Sequence, residues 1–319
     1  MIIDLLQHTR LDNIDIQILV LLTKDSRTTY RNIASVVGVS TNAVKERIHK
    51  MISNSIIQKF VVVINPVIFG YEKECILIIR HIDKTIKEQD ILNRINLLGD
   101  VFVYAKQLGG ASIFVVSVRA GAEDKIGILT DLLKPASVES TFVNYRPIAM
   151  QIHISDFKIM KCLLSNPRML VEDVAKEASM STKTVARRLE KMRENHILEF
   201  SILRNLSSLE ITGYVEFAVI INVDISYHQS IVERIYQEMQ EHLVRVPTSY
   251  QKEVILAVFF CANISTVDLI FKKLNSYHGV NRVDLFITTR LVYHQEWLKR
   301  EIDKRIESYS YSSETTKYA

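Results

Sequence analysis

Residues 14–60 read IDIQILVLLTKDSRTTYRNIASVVGVSTNAVKERIHKMISNSIIQKF, and residues 155–201 repeat the pattern as SDFKIMKCLLSNPRMLVEDVAKEASMSTKTVARRLEKMRENHILEFS. The offset is a constant 141 residues without a gap, and about a dozen positions are identical. In each copy the apolar residues form three short stripes at helical spacing. The chain therefore contains two copies of one three-helix plan.

The sequence also predicts how the helices begin and end. Ser40 and Ser181 stand just before the third stripe, where a hydroxyl can accept from the free amides of the first helical turn, so we predict N-caps. Gly38 supplies the permissive backbone of a tight turn before the third helix, and Ser179 replaces it in the second copy. β-Branched and aromatic residues follow each third helix and predict a short strand or wing. This pattern is typical of a helix-turn-helix.

Composition limits the class of protein. The 319 residues, 48% hydrophobic and 24% charged, allow two to four small domains. No apolar run has membrane-spanning length and the first ten residues lack a signal-peptide pattern, so we expect a cytoplasmic protein. The three cysteines are far apart and lack metal-binding spacing, which predicts buried free thiols and neither a metal site nor a cofactor.

Local charge is more informative than the net charge of +4. Residues 40–51 hold three basic side chains against one glutamate, and residues 181–193 hold five against one. A basic helix is usually a solvated face, but two of them in the same helix-turn-helix context favour DNA binding. The difference in charge predicts that the two halves bind DNA unequally.

Each helix-turn-helix is followed by about 80 residues in the order βαββαβ. That order predicts a four-stranded antiparallel sheet with two helices on one face, the ferredoxin-like arrangement. The other face of each sheet needs a cover, which either the other half of the chain or a second molecule could supply. The predicted fold class is α+β, with two winged helix-turn-helix domains alternating with two ferredoxin-like domains.

Three segments resemble the Lrp/AsnC family of transcription regulators. They are LDNIDIQIL (residues 11–19), VGVSTNAVKERIHKM (37–51) and NSIIQKFVVVINPVIFGY (54–71). The resemblance covers residues 11–294 and implies that the βαββαβ domains, called RAM domains in that family, assemble and sense amino acids, while paired helices hold DNA. It also implies a fused pair of units. The expected domains are residues 1–65 and 151–208 (winged helix-turn-helix), 66–150 and 209–294 (RAM), and 295–319 (C-terminal helix and flexible tail).

Placing the apolar stripe of each third helix inward puts a polar line outward, where it could enter a major groove. Donors such as Asn42, Lys183 and Arg187 suit base edges, and lysines and hydroxyls suit phosphates. The predicted contacts to double-stranded DNA are Thr41, Asn42, Lys45, Glu46, His49, Lys50, Thr182, Lys183, Thr184, Arg187 and Lys191.

Two arginines that are identical in the copies lie beside the apolar stripe instead of opposite it. Asp15 and Asp156 have the same placement on the first helix of each copy. We therefore predict an ion pair between Asp15 and Arg47 and another between Asp156 and Arg188.

A possible effector site is suggested by the resemblance. Family members that bind amino acids carry a glycine and, three residues later, an aspartate between the second and third strands of the RAM domain. Here Gly109 and Gly110 are present, but Ser112 stands where that aspartate would be, which removes the partner for an ammonium group. A small amino-acid-like molecule would bind near these three residues. Alternatively, the glycines simply form a hairpin turn.

Two other functions compete with DNA-dependent regulation. Siroheme decarboxylases resemble the same two-domain plan, but only scattered matches to their active-site signature occur, namely Tyr104, His242 and Arg245, and Trp297 lies beyond the domain. Proton transfer needs a positioned group of residues, so we expect no catalytic residue and no enzyme. The other alternative is an architectural protein that coats DNA without sequence preference.

Overall fold

The computed structural model describes residues 11–82, 85–145, 148–206, 213–251, 253–261 and 263–315. The described part of the first half contains five α-helices and five strands. They are α1 (Asn13–Lys24), α2 (Tyr30–Val37), α3 (Thr41–Ser53), β1 (Ile57–Ile64), β2 (Lys73–Arg80), α4 (Glu88–Ile95), β3 (Gly99–Gln107), β4 (Ser112–Val118), α5 (Ile126–Leu133) and β5 (Ser137–Asn144).

The second half repeats this order and ends with an additional helix. Its elements are α6 (Ile154–Ser165), α7 (Val171–Glu177), α8 (Thr182–Glu194), β6 (Leu198–Arg204), β7 (Val215–Val223), α9 (His228–Met239), β8 (Leu243–Gln251), β9 (Val254–Cys261), α10 (Ile264–Asn275), β10 (Val280–Tyr293) and α11 (Glu296–Thr315). The tip of the expected flexible tail, residues 316–319, lies outside the described residues. No helix within the described ranges is long and apolar enough to cross a membrane.

The predicted caps and turns of the helix-turn-helix units are confirmed. Ser40 Oγ accepts from the Ala43 amide at 3.1 Å, and Ser181 Oγ accepts from the Thr184 amide at the same distance. The turn before each cap is left-handed, with φ of 74° at Gly38 and 56° at position 179. Only the first copy has the residue that adopts this conformation without a steric cost.

β1 and β6 pair with each other as an antiparallel two-stranded ribbon. Phe60 lies opposite Ile202, and Val61 lies opposite Ser201. The 141-residue offset makes Phe60 equivalent to Ser201 and Val61 equivalent to Ile202, so the ribbon has a local two-fold axis at this point. A lone strand would leave its backbone groups unpaired, and each strand finds its partner in the other half. The ribbon thus joins the two helix-turn-helix units.

The remaining strands form one eight-stranded sheet in the order β5-β2-β4-β3-β10-β7-β9-β8. Each half supplies four adjacent antiparallel strands, as the βαββαβ order predicts. On one face, α4 and α5 cover the first four strands and α9 and α10 cover the others. Leu77 and Phe217 are fully buried beneath these helices. The sequence therefore predicted both ferredoxin-like units.

The opposite faces of the two units cover each other within the chain. Ile76, Ile78 and Ile113 of the first half share a buried cluster with Ala218 and Phe286 of the second. The sequence left open whether the other half or a second molecule supplies this cover, and the structure shows the other half. One chain thereby encloses the core that two separate subunits would otherwise form.

The two seams between the units differ. β10 continues past the end of its own unit and pairs with β3, from Thr288 opposite Gln107 to Tyr293 opposite Val103. β5 ends at Asn144. It approaches β8, but no ladder joins these two strands in the described part of the chain. The extension of β10 therefore closes one seam with hydrogen bonds.

Each helix-turn-helix unit packs on the sheet unit of the opposite half. The first unit shares its core with Phe260 of β9, and the second shares its core with Phe69 of the first half. Trp297 of α11, from its own half, also belongs to the core of the second unit. A buried ion pair, with Arg204 Nη2 2.5 Å from Glu216 Oε2, joins β6 to β7. This crossed packing connects each helix-turn-helix unit to both halves.

Candidate nucleic-acid interface

The third helix of each unit, α3 or α8, buries one face and exposes the other. Val44 and Ile48 are fully buried on α3, and Val185 is fully buried at the equivalent place on α8. Asn42 and Arg187 are exposed on the opposite faces. The helical period and the serine caps together place the polar line in solvent.

The residues predicted to contact DNA lie on these two exposed faces. Ten of them are exposed: Thr41, Asn42, Lys45, Glu46, His49, Lys50, Thr182, Lys183, Arg187 and Lys191. Thr184 is half-buried, and its Oγ1 lies 2.8 Å from Ser181 Oγ in the cap of α8. Thr184 thus has a structural contact that the sequence pattern did not indicate.

Free positive charge is distributed unequally between the faces. Five basic side chains make no ion pair with other described residues: Lys45, Lys50, Lys183, Arg187 and Lys191. Three of the five belong to α8. Uncompensated cations on a convex helix are suited to phosphate and base contacts, and α8 presents more of them.

The two predicted ion pairs are confirmed. Arg47 Nη1 lies 2.7 Å from Asp15 Oδ1 and 2.8 Å from Asp12 Oδ2. Arg188 Nη1 lies 2.9 Å from Asp156 Oδ1. Hydrogen bonding to Asp15 raises the pKa of Arg47. These arginines hold the third helix to the first, so they are not available to DNA in this geometry.

Arg193 has a role that the charge pattern did not reveal. The sequence counts it among the basic residues of α8, whereas its Nη2 lies 2.5 Å from Asp25 Oδ2 of the first helix-turn-helix unit. A partner 168 positions away has no local signal in the sequence. The unpaired positive charge on α8 is correspondingly smaller than the sequence count.

The residues of the predicted effector site do not share one surface. Gly109 and Gly110 have φ of 83° and 90° and form the turn between β3 and β4, as the hairpin alternative predicts. Ser112 is buried on β4. Burial raises the pKa of Tyr104, and its hydrogen bond with Ser112 acts in the opposite direction. The Ser112 side chain therefore lies on the face of the sheet that α4 and α5 cover, where it is hydrogen-bonded to Tyr104.

A recess of about 260 Å³ does lie beside the turn. Gly109 and Ala111 line one side, and Asp284 and Phe286 of β10 line the other. Arg80 contributes a guanidinium that lies over the Phe286 ring, 5.6 Å from its centroid. The recess combines both signs of charge with an aromatic surface and lies between the halves.

The described matches to the decarboxylase signature, Tyr104, His242 and Trp297, lie in three different surroundings. Tyr104 is buried and stacks on Phe114, with ring centroids 4.8 Å apart. His242 lies in the second half next to Glu241, and Trp297 is buried in the core of the second helix-turn-helix unit. The side chain of Arg245 lies outside the described residues. In the described ranges, no group of three or more His, Cys, Asp or Glu side chains is placed to hold a metal.

Two family models match the repeated units. The AsnC-type helix-turn-helix domain matches residues 11–52, and the winged helix-turn-helix DNA-binding domain matches residues 152–199. An uncharacterised HTH-type transcriptional regulator of Pyrococcus furiosus is 33% identical over 132 residues, which are 41% of this chain and 88% of that protein. Another from Pyrococcus horikoshii is 30% identical over 153 residues, which are 47% of this chain and 97% of that protein.

Among solved structures, the siroheme decarboxylase NirDL is similar over nearly the whole chain. The TM-score is 0.50 at 16% identity, covering 93% of this chain and all of that one. At this identity the likeness shows a common fold. The AsnC-type domain match and the near-complete coverage of regulators half as long show that this chain, a tandem duplication with two helix-turn-helix units, belongs to the Lrp/AsnC family.

Proposed function

We propose that the protein is a DNA-binding transcription regulator that inserts α3 and α8 into two major-groove faces of one DNA site. The βαββαβ units hold the helices in place and offer a site for an effector. Such a protein would act in the cytoplasm and need neither a metal nor a catalytic residue. Lys45, Lys50 and Lys191 would contact phosphates, and Asn42 and Arg187 would contact base edges.

The observation that carries this proposal is the joining of two capped, solvent-facing recognition helices by one ribbon. The ribbon has a local two-fold axis, so α3 and α8 are presented as a pair. DNA offers matching groove faces one helical turn apart, about 34–36 Å, or at multiples of that distance. A single chain thus supplies what two subunits supply in a dimeric regulator.

The two faces are chemically different. Asn42, Glu46 and His49 on α3 correspond to Lys183 and Arg187 on α8, with Glu190 in the third position. Different donors and acceptors select different base edges. We therefore propose that one chain reads an asymmetric site, and equal binding to palindromes of either half-site would refute this.

The deciding experiment is selection of DNA from a random pool by the purified full chain at near-physiological salt. An enriched motif with two unlike half-sites would support a specific regulator in which both helices read bases. Binding without enrichment would favour the architectural alternative, because contacts to phosphate alone carry no sequence preference. Absence of binding would refute the proposal.

The effector part of the proposal rests on the recess beside Gly109. Arg80 and Asp284 could pair with the carboxylate and ammonium of an amino-acid-like zwitterion. In this structure Arg80 bonds to Glu139 and Asp284 bonds to Arg282, so a ligand must compete with both contacts. Calorimetry with the twenty amino acids, repeated on Asp284→Asn, tests this part. Heat that survives the substitution would place the site elsewhere, and no heat with any amino acid would refute amino-acid sensing.

An enzymatic function is a second candidate because the fold matches that of a siroheme decarboxylase over 93% of the chain. Tyr104 is buried in the core of the first half and His242 lies beside Glu241 in the second, which argues against a shared active site in this chain. Titration with an iron tetrapyrrole gives a direct test. A saturable change in its absorbance spectrum would favour the enzyme over the regulator.

A further inference from the structure

The loops between the first and second helices of the two helix-turn-helix units face each other across the ribbon. Their sequences align as DSRTT (residues 25–29) and NPRML (residues 166–170), so Arg27 and Arg168 are equivalent. Each arginine reaches into the other unit. Neither belongs to a recognition helix, and neither is among the DNA contacts predicted above.

The side chain of Arg27 bonds to backbone carbonyl groups of the second unit. Nη1 donates to the carbonyl oxygen of Pro167 at 2.8 Å, and Nη2 donates to that of Met169 at 3.0 Å. The guanidinium also lies over the ring of Phe200, 5.2 Å from its centroid. A planar fork with two carbonyl acceptors fixes both the distance and the angle between the loops.

Arg168 reaches in the opposite direction and uses aromatic rings. Its guanidinium carbon lies 5.1 Å from the ring centroid of Tyr30 and 4.8 Å from that of Phe60. Arg193 adds a third contact from the last turn of α8, through its ion pair with Asp25. This ion pair connects one recognition helix directly to the loop of the other unit.

Two of the guanidiniums share one ring in spite of their like charge, since Arg27 and Arg193 lie 5.2 and 5.7 Å from the centroid of Phe200. Burial lowers the pKa of Arg27, and the charges of Arg193 and Arg168 lower it further, while Asp25 acts in the opposite direction. The packing of the two units thus stabilises an arrangement that the arginines alone would disfavour. Such an arrangement is held only where the surroundings fix it.

The ion pair between Arg193 and Asp25 occurs on one side of the local two-fold axis only. The repeat places Ile52 where the second unit has Arg193, and Asn166 where the first has Asp25. Ile52 is 43% exposed. The ion pair therefore has no counterpart on the other side of the local two-fold axis, and the two recognition helices are held differently.

We infer that Arg27, Arg168 and Arg193, here named the arginine clamp, fix the separation and angle of α3 and α8 and so determine which half-site spacing the chain accepts. The inference rests on the proposed DNA-binding function. One inserted base pair rotates one half-site relative to the other by about 35°, since a turn holds about 10 base pairs. A rigid pair of helices cannot contact both half-sites after that rotation, whereas a loosened pair can adjust to it and still contact both.

The geometric part of the inference can be tested without DNA. Nitroxide labels on His49→Cys and Glu190→Cys report the separation of α3 and α8, and the native cysteines are buried. We expect one narrow distance distribution in the parent chain and a clearly broader one in Arg27→Ala and in Arg193→Gln. Arg234→Gln, which alters a surface ion pair of α9, is the matched control and should leave the distribution narrow. Unchanged widths in both clamp variants would overturn the inference.

The functional part uses the selected DNA site with zero, one or two base pairs inserted between the half-sites. For each inserted base pair, the affinity of the parent chain should fall at least about tenfold, and that of Arg27→Ala less than about threefold. At the original spacing, Arg27→Ala should bind about tenfold more weakly than the parent chain. A purely structural defect would weaken all spacings alike, and that result would refute the clamp. Affinity for a single isolated half-site should not change.

The outcomes separate the two proposals. Absence of DNA binding by the parent chain would refute the regulator, and the distance measurements would still decide whether the clamp exists. A parent chain that binds every spacing equally would refute the clamp alone. Arg193→Gln keeps the test valid if Arg27→Ala does not fold, because the Arg193 side chain is 41% exposed and its loss leaves no buried group unpaired.

Discussion

Replacing Asp156 with asparagine should destabilise the second helix-turn-helix unit more than the equivalent Asp15→Asn destabilises the first. The Asp156 side chain is fully buried, and Arg188, its partner, is 21% exposed. Removing one charge of such a pair leaves a poorly solvated cation and costs about 3 kcal/mol. Asp15 is 13% exposed, and Arg47 retains Asp12 as a second partner. The expected cost there is about 1 kcal/mol.

Hydrogen exchange of the full chain can resolve the two units, because the backbone amides of each unit's own helices report its opening. A difference of about 2 kcal/mol corresponds to roughly a thirtyfold difference in the opening equilibrium constant. We therefore expect Asp156→Asn to raise the opening constant of α6 to α8 about thirtyfold more than Asp15→Asn raises that of α1 to α3. Equal effects, or a larger effect of Asp15→Asn, would refute the assignment of the energy to burial. Adding Arg188→Met to Asp156→Asn should recover stability, since the cost comes from the unpaired cation.

In binding titrations on the selected DNA site, Arg187→Ala should cost about 1 to 3 kcal/mol and more than His49→Ala, because α8 carries more free positive charge. Equal losses would contradict that ranking. The thiols should stay unreactive until the chain unfolds, because burial raises their pKa; the values are about 12, 11 and 12 for Cys75, Cys162 and Cys261. Hydrogen bonding from Lys273 lowers the pKa of Glu238 from 4.5 to about 2. The carboxylate should therefore stabilise the fold above pH 4.5 and lose this effect as the pH falls towards about 2, and a carboxyl NMR titration with its midpoint near 4.5 would contradict this.

The features that the sequence predicted are those with local causes. The caps at Ser40 and Ser181 depend on residues three positions apart, and the left-handed turn at Gly38 depends on one residue. The βαββαβ order follows from the periods of the apolar residues. The ion pair of Asp156 with Arg188 could also be predicted, because both copies place the same charges beside the apolar stripes.

The features that the sequence did not reveal depend on contacts between the halves. Arg27 finds its acceptors on backbone carbonyls 140 and 142 positions away, and any residue could supply a carbonyl. Arg193 looks like one more exposed cation of α8 until Asp25 is placed beside it. The alternation of a strand leaves open which face is covered by helices, so the burial of Ser112 could not be deduced from its position after the two glycines.

Fusion of the two units into one chain explains how these differences can coexist with the local two-fold axis. In a dimer of identical chains every substitution changes both halves, whereas a fused chain can change each half separately. The ribbon and the inner faces of the sheets keep the two-fold arrangement. The differences lie around them: Arg204 stands where the first half has Val63, and β10 extends to Tyr293. A rigid frame with two different reading faces would accept unlike half-sites but only one spacing between them, which is the combination that the spacing and selection experiments measure together.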